Sequence, residues 1–151
     1  MSLADANQQL GVARYRLRAK GDRDHALATA NRVYESVDRI DGPAVELADL
    51  CERLYVLMQD LGDDARCERL VQKALALEVA LEPARPVVLG TRQLFYATFL
   101  HRLHRYGEAG RLATEGLASY ARGVPAGDRE LAYLCSLMEP IQRDAREHPP
   151  S

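Results

Sequence analysis

The chain has 151 residues, with 20 basic against 22 acidic side chains and a net charge of −2. That length suits one domain able to bury a sizeable core, and 47% hydrophobic with 28% charged residues excludes a disordered polar chain. The balanced charge supplies no global field for nucleic acid or anionic lipid, so neither is expected as a partner. No uncharged apolar run approaches the roughly 18 residues of a membrane span. The N-terminus Met1-Ser2-Leu3-Ala4-Asp5 has no basic segment leading an apolar one, so no signal peptide is expected. Cys51, Cys67 and Cys135 are odd in number, widely spaced and set in apolar patterns. They predict reduced core thiols in a cytoplasmic protein. Lys occurs only at Lys20 and Lys73, every other basic side chain being Arg, a bias that suggests a GC-rich bacterial genome.

Only helical periodicity is present, which predicts an all-α fold. Leu3, Ala6, Leu10, Ala13 and Leu17 step by three and four residues, one apolar stripe of a helix near 2–19. Gly21-Asp22 ends it, and the Asp22 carboxylate can cap a second helix near 22–39. Asp41-Gly42-Pro43 is the next break, with Asp41 as a candidate cap and Pro43 suited to a first helical turn. Leu47, Leu50, Leu54, Leu57 and Leu61 mark a third helix near 43–60. Gly62-Asp63 opens a fourth near 63–81, ended by Pro83 to Pro86. Leu94, Ala97, Leu100 and Leu103 belong to a fifth near 87–104, and Tyr106-Gly107 opens a sixth near 107–122. After the glycine-bounded break at 123–127 comes a seventh near 128–146, where Pro140 predicts a kink or an early end. Residues 148–151 read as a disordered tail.

The helices repeat. Gly21-Asp22-Arg23-Asp24-His25-Ala26 aligns with Gly62-Asp63-Asp64-Ala65-Arg66-Cys67 and with His104-Arg105-Tyr106-Gly107-Glu108-Ala109, at offsets of 41 and 42. Ala26, Cys67 and Ala109 share one small position, and Val33, Ala74 and Gly116 follow seven residues later in each copy. Small residues at this spacing predict close helix crossings.

The stretch Gly62 to Leu77 (GDDARCERLVQKALAL) resembles the second half of a tetratricopeptide repeat, and Tyr106-Gly107-Glu108-Ala109 followed by Gly116-Leu117 is similar. The spacing resembles the long variant of kinesin light chains and bacterial regulators, and the link Glu82-Pro83-Ala84-Arg85-Pro86 suits it. The resemblance covers nearly the whole chain. It implies a single domain over 1–147: a right-handed superhelix of three antiparallel helix pairs (near 2–39, 43–82 and 87–122) and a capping helix at 128–146. Where the family places a small residue in the first helix of each pair, this chain has Arg14 and Tyr55, and only Ala97 conforms. Packing in the first two pairs is therefore expected to be looser or shifted in register.

In such arrays the first helix of each pair lines the concave surface. The resemblance then implies a groove lined by Gln8, Tyr15 and Arg18 from the first pair. Asp49, Glu52, Val56 and Gln59 follow from the second, and Thr91, Leu94, Thr98 and His101 from the third. Mixed charges with a few apolar anchors suit a peptide or partner helix. The Lys/Asn clamp of chaperone-binding members is missing, which disfavours chaperone docking. The expectation is a non-enzymatic protein-interaction module without cofactor. A self-associating scaffold is the alternative.

Other chemistry is thinly supported. His101 and His104 stand three apart on one helix, so both can face a metal or serve an enzyme with the cysteines, yet no third ligand lies near in sequence. Asp22/Asp24 and Asp63/Asp64 sit at helix starts, where capping and the helix dipole account for them. No nucleophile elbow, phosphate loop or paired-cysteine motif occurs. The basic run Arg14-Tyr15-Arg16-Leu17-Arg18-Ala19-Lys20 ends a helix, as cations favour, and acidic residues follow at once.

Overall fold

Backbone amides at a helix start have no partner within the helix, and polar side chains supply one. Ser2 Oγ accepts from the Asp5 amide at 3.0 Å, Asp22 from His25 at 3.1 Å, Asp63 from Arg66 at 3.2 Å and Asp128 from Leu131 at 2.9 Å. The computed structural model describes residues 1–149 and is all-α. Its helices are α1 (Leu3–Lys20), α2 (Arg23–Ser36), α3 (Ala44–Asp60), α4 (Asp64–Val79), α5 (Pro86–Arg102), α6 (Tyr106–Arg122) and α7 (Arg129–Glu147). A 3-10 turn, Val37–Arg39, prolongs α2 to where the sequence ends it. Asp41 is not a cap: Pro43 holds the position ahead of α3, with no side-chain acceptor. Nor does Pro140 end α7, which runs on to Glu147. The proline removes only the bond to the Ser136 carbonyl, on an exposed stretch where water can take its place. No helix among the described residues is long and apolar enough to cross a membrane.

The repeat phase has a backbone counterpart. Gly21, Gly62 and His104, aligned in sequence, all adopt left-handed conformations, with φ of 62°, 80° and 63°. The residue after each donates back into the preceding helix: Asp22 to Arg16, Asp63 to Met58 and Arg105 to Leu100. These turns reverse the chain between α1 and α2, α3 and α4, and α5 and α6.

The chain divides into two compact units, Met1–Leu81 and a second beginning at Glu82. In the first, α1 packs on α2, α3 on α4, and α3 also on α1 and α2. Ala26 and Cys67 are fully buried at the small position, as are Val33 and Ala74 seven residues on. Arg14 is exposed and the neighbouring Ala13 is buried in its stead, whereas Tyr55 is itself buried. Polar bonds join α2 and its 3-10 turn to α3 and α4. Arg66 Nη1 donates to Asn31 Oδ1 (2.6 Å), Arg23 to the Leu61 carbonyl (2.6 Å), and Asp38 takes Arg69 (2.5 Å) and Lys73 (2.9 Å). Tyr34 lies beneath the guanidinium groups of Arg66 and Arg69, 4.7 and 5.2 Å from its centroid.

In the second unit α5 and α6 run antiparallel at very close range. A Cβ on Gly90 would stand 2.7 Å from the Gly116 carbonyl oxygen, and one on Gly116 would stand 2.7 Å from Leu94 Cδ2. Ala109 is fully buried. α7 returns along α6, with Ala145 against Gly110 and Gln142 donating to Thr114 Oγ1 at 3.2 Å. Only Met138 and Ile141 of α7 are buried, and Cys135 is exposed. The expectation of three core thiols therefore holds for Cys51 and Cys67 and fails for Cys135, which lies off the face that α7 buries through Met138 and Ile141. Of the expected tail, residues 150–151 lie outside the described ones. His148 Nδ1 sits 3.0 Å from the Asp144 carbonyl oxygen.

Candidate functional site

In the first unit, α1 and α3 lie side by side and leave an open furrow. One hollow of about 490 Å³ is lined by Leu3, Ala4 and Asn7 of α1 with Glu46, Asp49 and Arg53 of α3. A smaller one of about 180 Å³ continues it past Leu10, Gly11 and Arg14. Arg53 Nη1 donates to Asn7 Oδ1 at 2.5 Å, a bond between the two walls. The lining carries both signs of charge over aliphatic patches, and the furrow is open rather than a closed apolar pocket.

The residues expected to line a groove are not equivalent. Tyr15 is 63% exposed on α1, and Gln8 and Arg18 are exposed beside it. Gln8 belongs to a hollow shared with α2. Asp49 lies in the furrow between α1 and α3. Glu52, Val56 and Gln59 are half-buried on α3, and Tyr55 donates to Glu52 Oε1 at 3.4 Å. In the second unit Thr91 and Thr98 are exposed, but their hydroxyls donate to the Val87 and Leu94 carbonyls at 2.8 and 3.0 Å. Leu94 is not a lining residue: it is buried in the α5–α6 crossing, filling the space that Gly116 leaves. His101 Nε2 is bound to Asp144 Oδ2 of α7 at 2.6 Å. Its ring holds α7 against α5.

Around Tyr106 the structure assembles side chains that local sequence does not connect. The His101, His104 and His148 rings lie 5.4, 5.6 and 4.8 Å from the Tyr106 ring, His104 in a stacked arrangement. The hydrogen bond from His101 holds the Asp144 carboxyl below the usual carboxylate range, helped by the charges of His101, Arg143 and His148. His101 and His104 are thus near one another, but no trio of His, Cys, Asp or Glu among the described residues is arranged to hold a metal ion. Another hollow, of about 560 Å³, lies between α6 and α7, where Arg111 and Glu115 pair with each other at 3.1 Å. The sequence reading missed Asn7, Glu46 and Arg53, and placed Arg14 in a basic run rather than in a groove. Nothing local signals a pairing across 46 residues.

Comparison of the chain with protein-family models, with curated proteins and with solved structures finds no match in any of the three.

Proposed function

We propose that this chain is a non-enzymatic protein-interaction module of the tetratricopeptide type that binds a peptide or partner helix through the first helices of its pairs. The observation that carries this reading is the furrow between α1 and α3, the first helices of two successive pairs, open and lined by mixed charge and aliphatic side chains. Tyr15 stands exposed on the same α1 as an aromatic anchor. The shared left-handed turn position at Gly21, Gly62 and His104 supports the repeat on which the reading depends. Buried thiols at Cys51 and Cys67 suit a reducing, cytoplasmic setting, and the bias of Arg over Lys suits a bacterium. Asp49 and Glu46 beside Arg53 suit a partner segment carrying at least one basic side chain. Affinity capture with the whole chain, run in parallel with a Tyr15→Ala variant, tests this: a partner held by the wild type and lost by the variant is the expected result.

A self-associating scaffold is the second reading, favoured by one feature. Tyr133 and Leu137 are exposed on α7, which buries little of its own apolar surface. Light scattering across a concentration series separates the two: a mass that stays at one chain is the result for the partner-binding module.

A further inference from the structure

The charges along the furrow between α1 and α3 are sorted. Glu46 and Asp49 line the wider hollow, where both helices begin, and no acidic residue lines the narrower one of about 180 Å³ beyond it. Arg53 stands at the boundary and lines both, and Arg14 enters the narrower hollow from α1. Among the described residues neither guanidinium has a carboxylate partner. Arg53 donates only to the neutral Asn7 Oδ1, and Arg14 makes no side-chain bond. Arg16, Arg66 and Arg69 of the same unit are instead paired with Asp22, Asp63 and Asp38.

Every polar side-chain group that the narrower hollow leaves unbonded is a donor. Asn7 Oδ1 is taken by Arg53, which leaves the Asn7 amide N–H groups and the two guanidinium groups. Two like charges lining one hollow repel each other, and an anion between them relieves the repulsion while accepting from both. The floor is bare at Gly11, where a Cβ would meet nothing within 4 Å, so a ligand chain can come close to the helix backbone there.

Spacing relates the two ends. Glu46 and Arg53 are seven residues apart, about 10 Å along α3. An extended chain advances about 3.3 Å per residue with alternate side chains on one face. Its first and fifth side chains then point the same way about 13 Å apart, within reach of long side chains at both ends of the furrow. The third side chain falls between them, over Leu10 and the bare Gly11.

We propose that the furrow takes an extended segment carrying both signs of charge, with a basic side chain at Glu46 and Asp49, an acidic one at Arg14 and Arg53, and an apolar residue between them over Gly11. This rests on the reading of the furrow as a peptide-binding surface and adds the acidic residue, its place and its spacing.

The probe is a pentapeptide, acetylated and amidated at its ends, with arginine first, leucine third, glutamate fifth and alanine between. Titrated into the whole ¹⁵N-labelled chain, it should shift the Gly11 backbone amide and the Asn7 side-chain amide signals. Replacing its glutamate by glutamine should weaken binding about three- to tenfold, since a partly solvated charge-assisted bond is lost. Replacing it by lysine should weaken binding further. Arg14→Glu should reverse the order, so that the lysine peptide binds more tightly than the glutamate one, which a general loss of structure would not do. Gly11→Gln should cover the floor and weaken all three peptides while circular dichroism shows the chain folded. Equal binding of the three peptides to wild type, an unreversed order in Arg14→Glu, or full binding to Gly11→Gln would overturn the proposal and leave the peptide-binding reading standing. Furrow signals unmoved by every peptide would overturn both.

Discussion

His104 takes the left-handed backbone conformation that Gly62 takes at the equivalent point of the preceding pair, with φ of 63° against 80°. Glycine adopts it freely, whereas a residue with a Cβ is strained there by about 1–2 kcal/mol. His104→Gly should therefore raise stability by about 1 kcal/mol, after the loss of its stacking on Tyr106. For a chain of this size that is about 2–4 °C in melting temperature. A lower melting temperature would mean that the turn is held by the imidazole and not by the repeat.

Two glycines in helices should behave in opposite ways. A Cβ on Gly90 meets the Gly116 carbonyl oxygen and the Tyr120 amide nitrogen, both at 2.7 Å and both backbone, so Gly90→Ala forces α5 and α6 apart. The expected cost is about 1–3 kcal/mol, and Ala109→Leu should cost a similar amount. Gly11 has open space around its Cβ position, and Gly11→Ala should stabilise α1 by about 0.5–1 kcal/mol. Thermal unfolding of the three variants checks both signs.

How much of this was legible in the sequence depended on range. Helix positions, the caps at Asp22 and Asp63 and the burial of Ala26, Cys67 and Ala109 follow from contacts within a turn or from a repeated phase, both written locally. Leu94 went astray because its fate depends on Gly116: the missing side chain on α6 opens a hole that only a neighbour on α5 can fill. Cys135 went astray because apolar periodicity along α7 does not tell which of its apolar positions are covered, and only Met138 and Ile141 are. The furrow was half legible. Its acidic wall at Asp49 was expected, while Asn7 and Arg53 meet only through tertiary packing.

Thiol reactivity separates the cysteines. One thiol, Cys135, should react quickly with an aromatic disulfide reagent in the native protein, and Cys51 and Cys67 only on unfolding. Rapid reaction of more than one native thiol would contradict the burial of the first unit's core.

The attachment of α7 through His101 and Asp144 should depend on acid. The Asp144 carboxyl titrates below its ordinary value of 3.8 because His101 bonds to its charged form. A depressed folded-state value adds stability above the unfolded value, and that stability is lost as pH falls through the folded one. Wild type should thus exceed Asp144→Asn in stability at pH 5, and the difference should shrink as pH falls through the lowered Asp144 value. Parallel curves over that range would mean that the pair contributes nothing.

The most direct measurement of the central proposal is partner retention by the immobilised whole chain, compared among wild type, Tyr15→Ala and Glu52→Gln. Tyr15 is well exposed, and Glu52→Gln keeps an acceptor for the Tyr55 hydroxyl, so circular dichroism should show all three folded. The account predicts a protein retained by wild type, released faster from Tyr15→Ala and held less tightly by Glu52→Gln, the latter difference shrinking as salt is raised. Identical retention by all three chains, or no partner above the bare matrix, would contradict it.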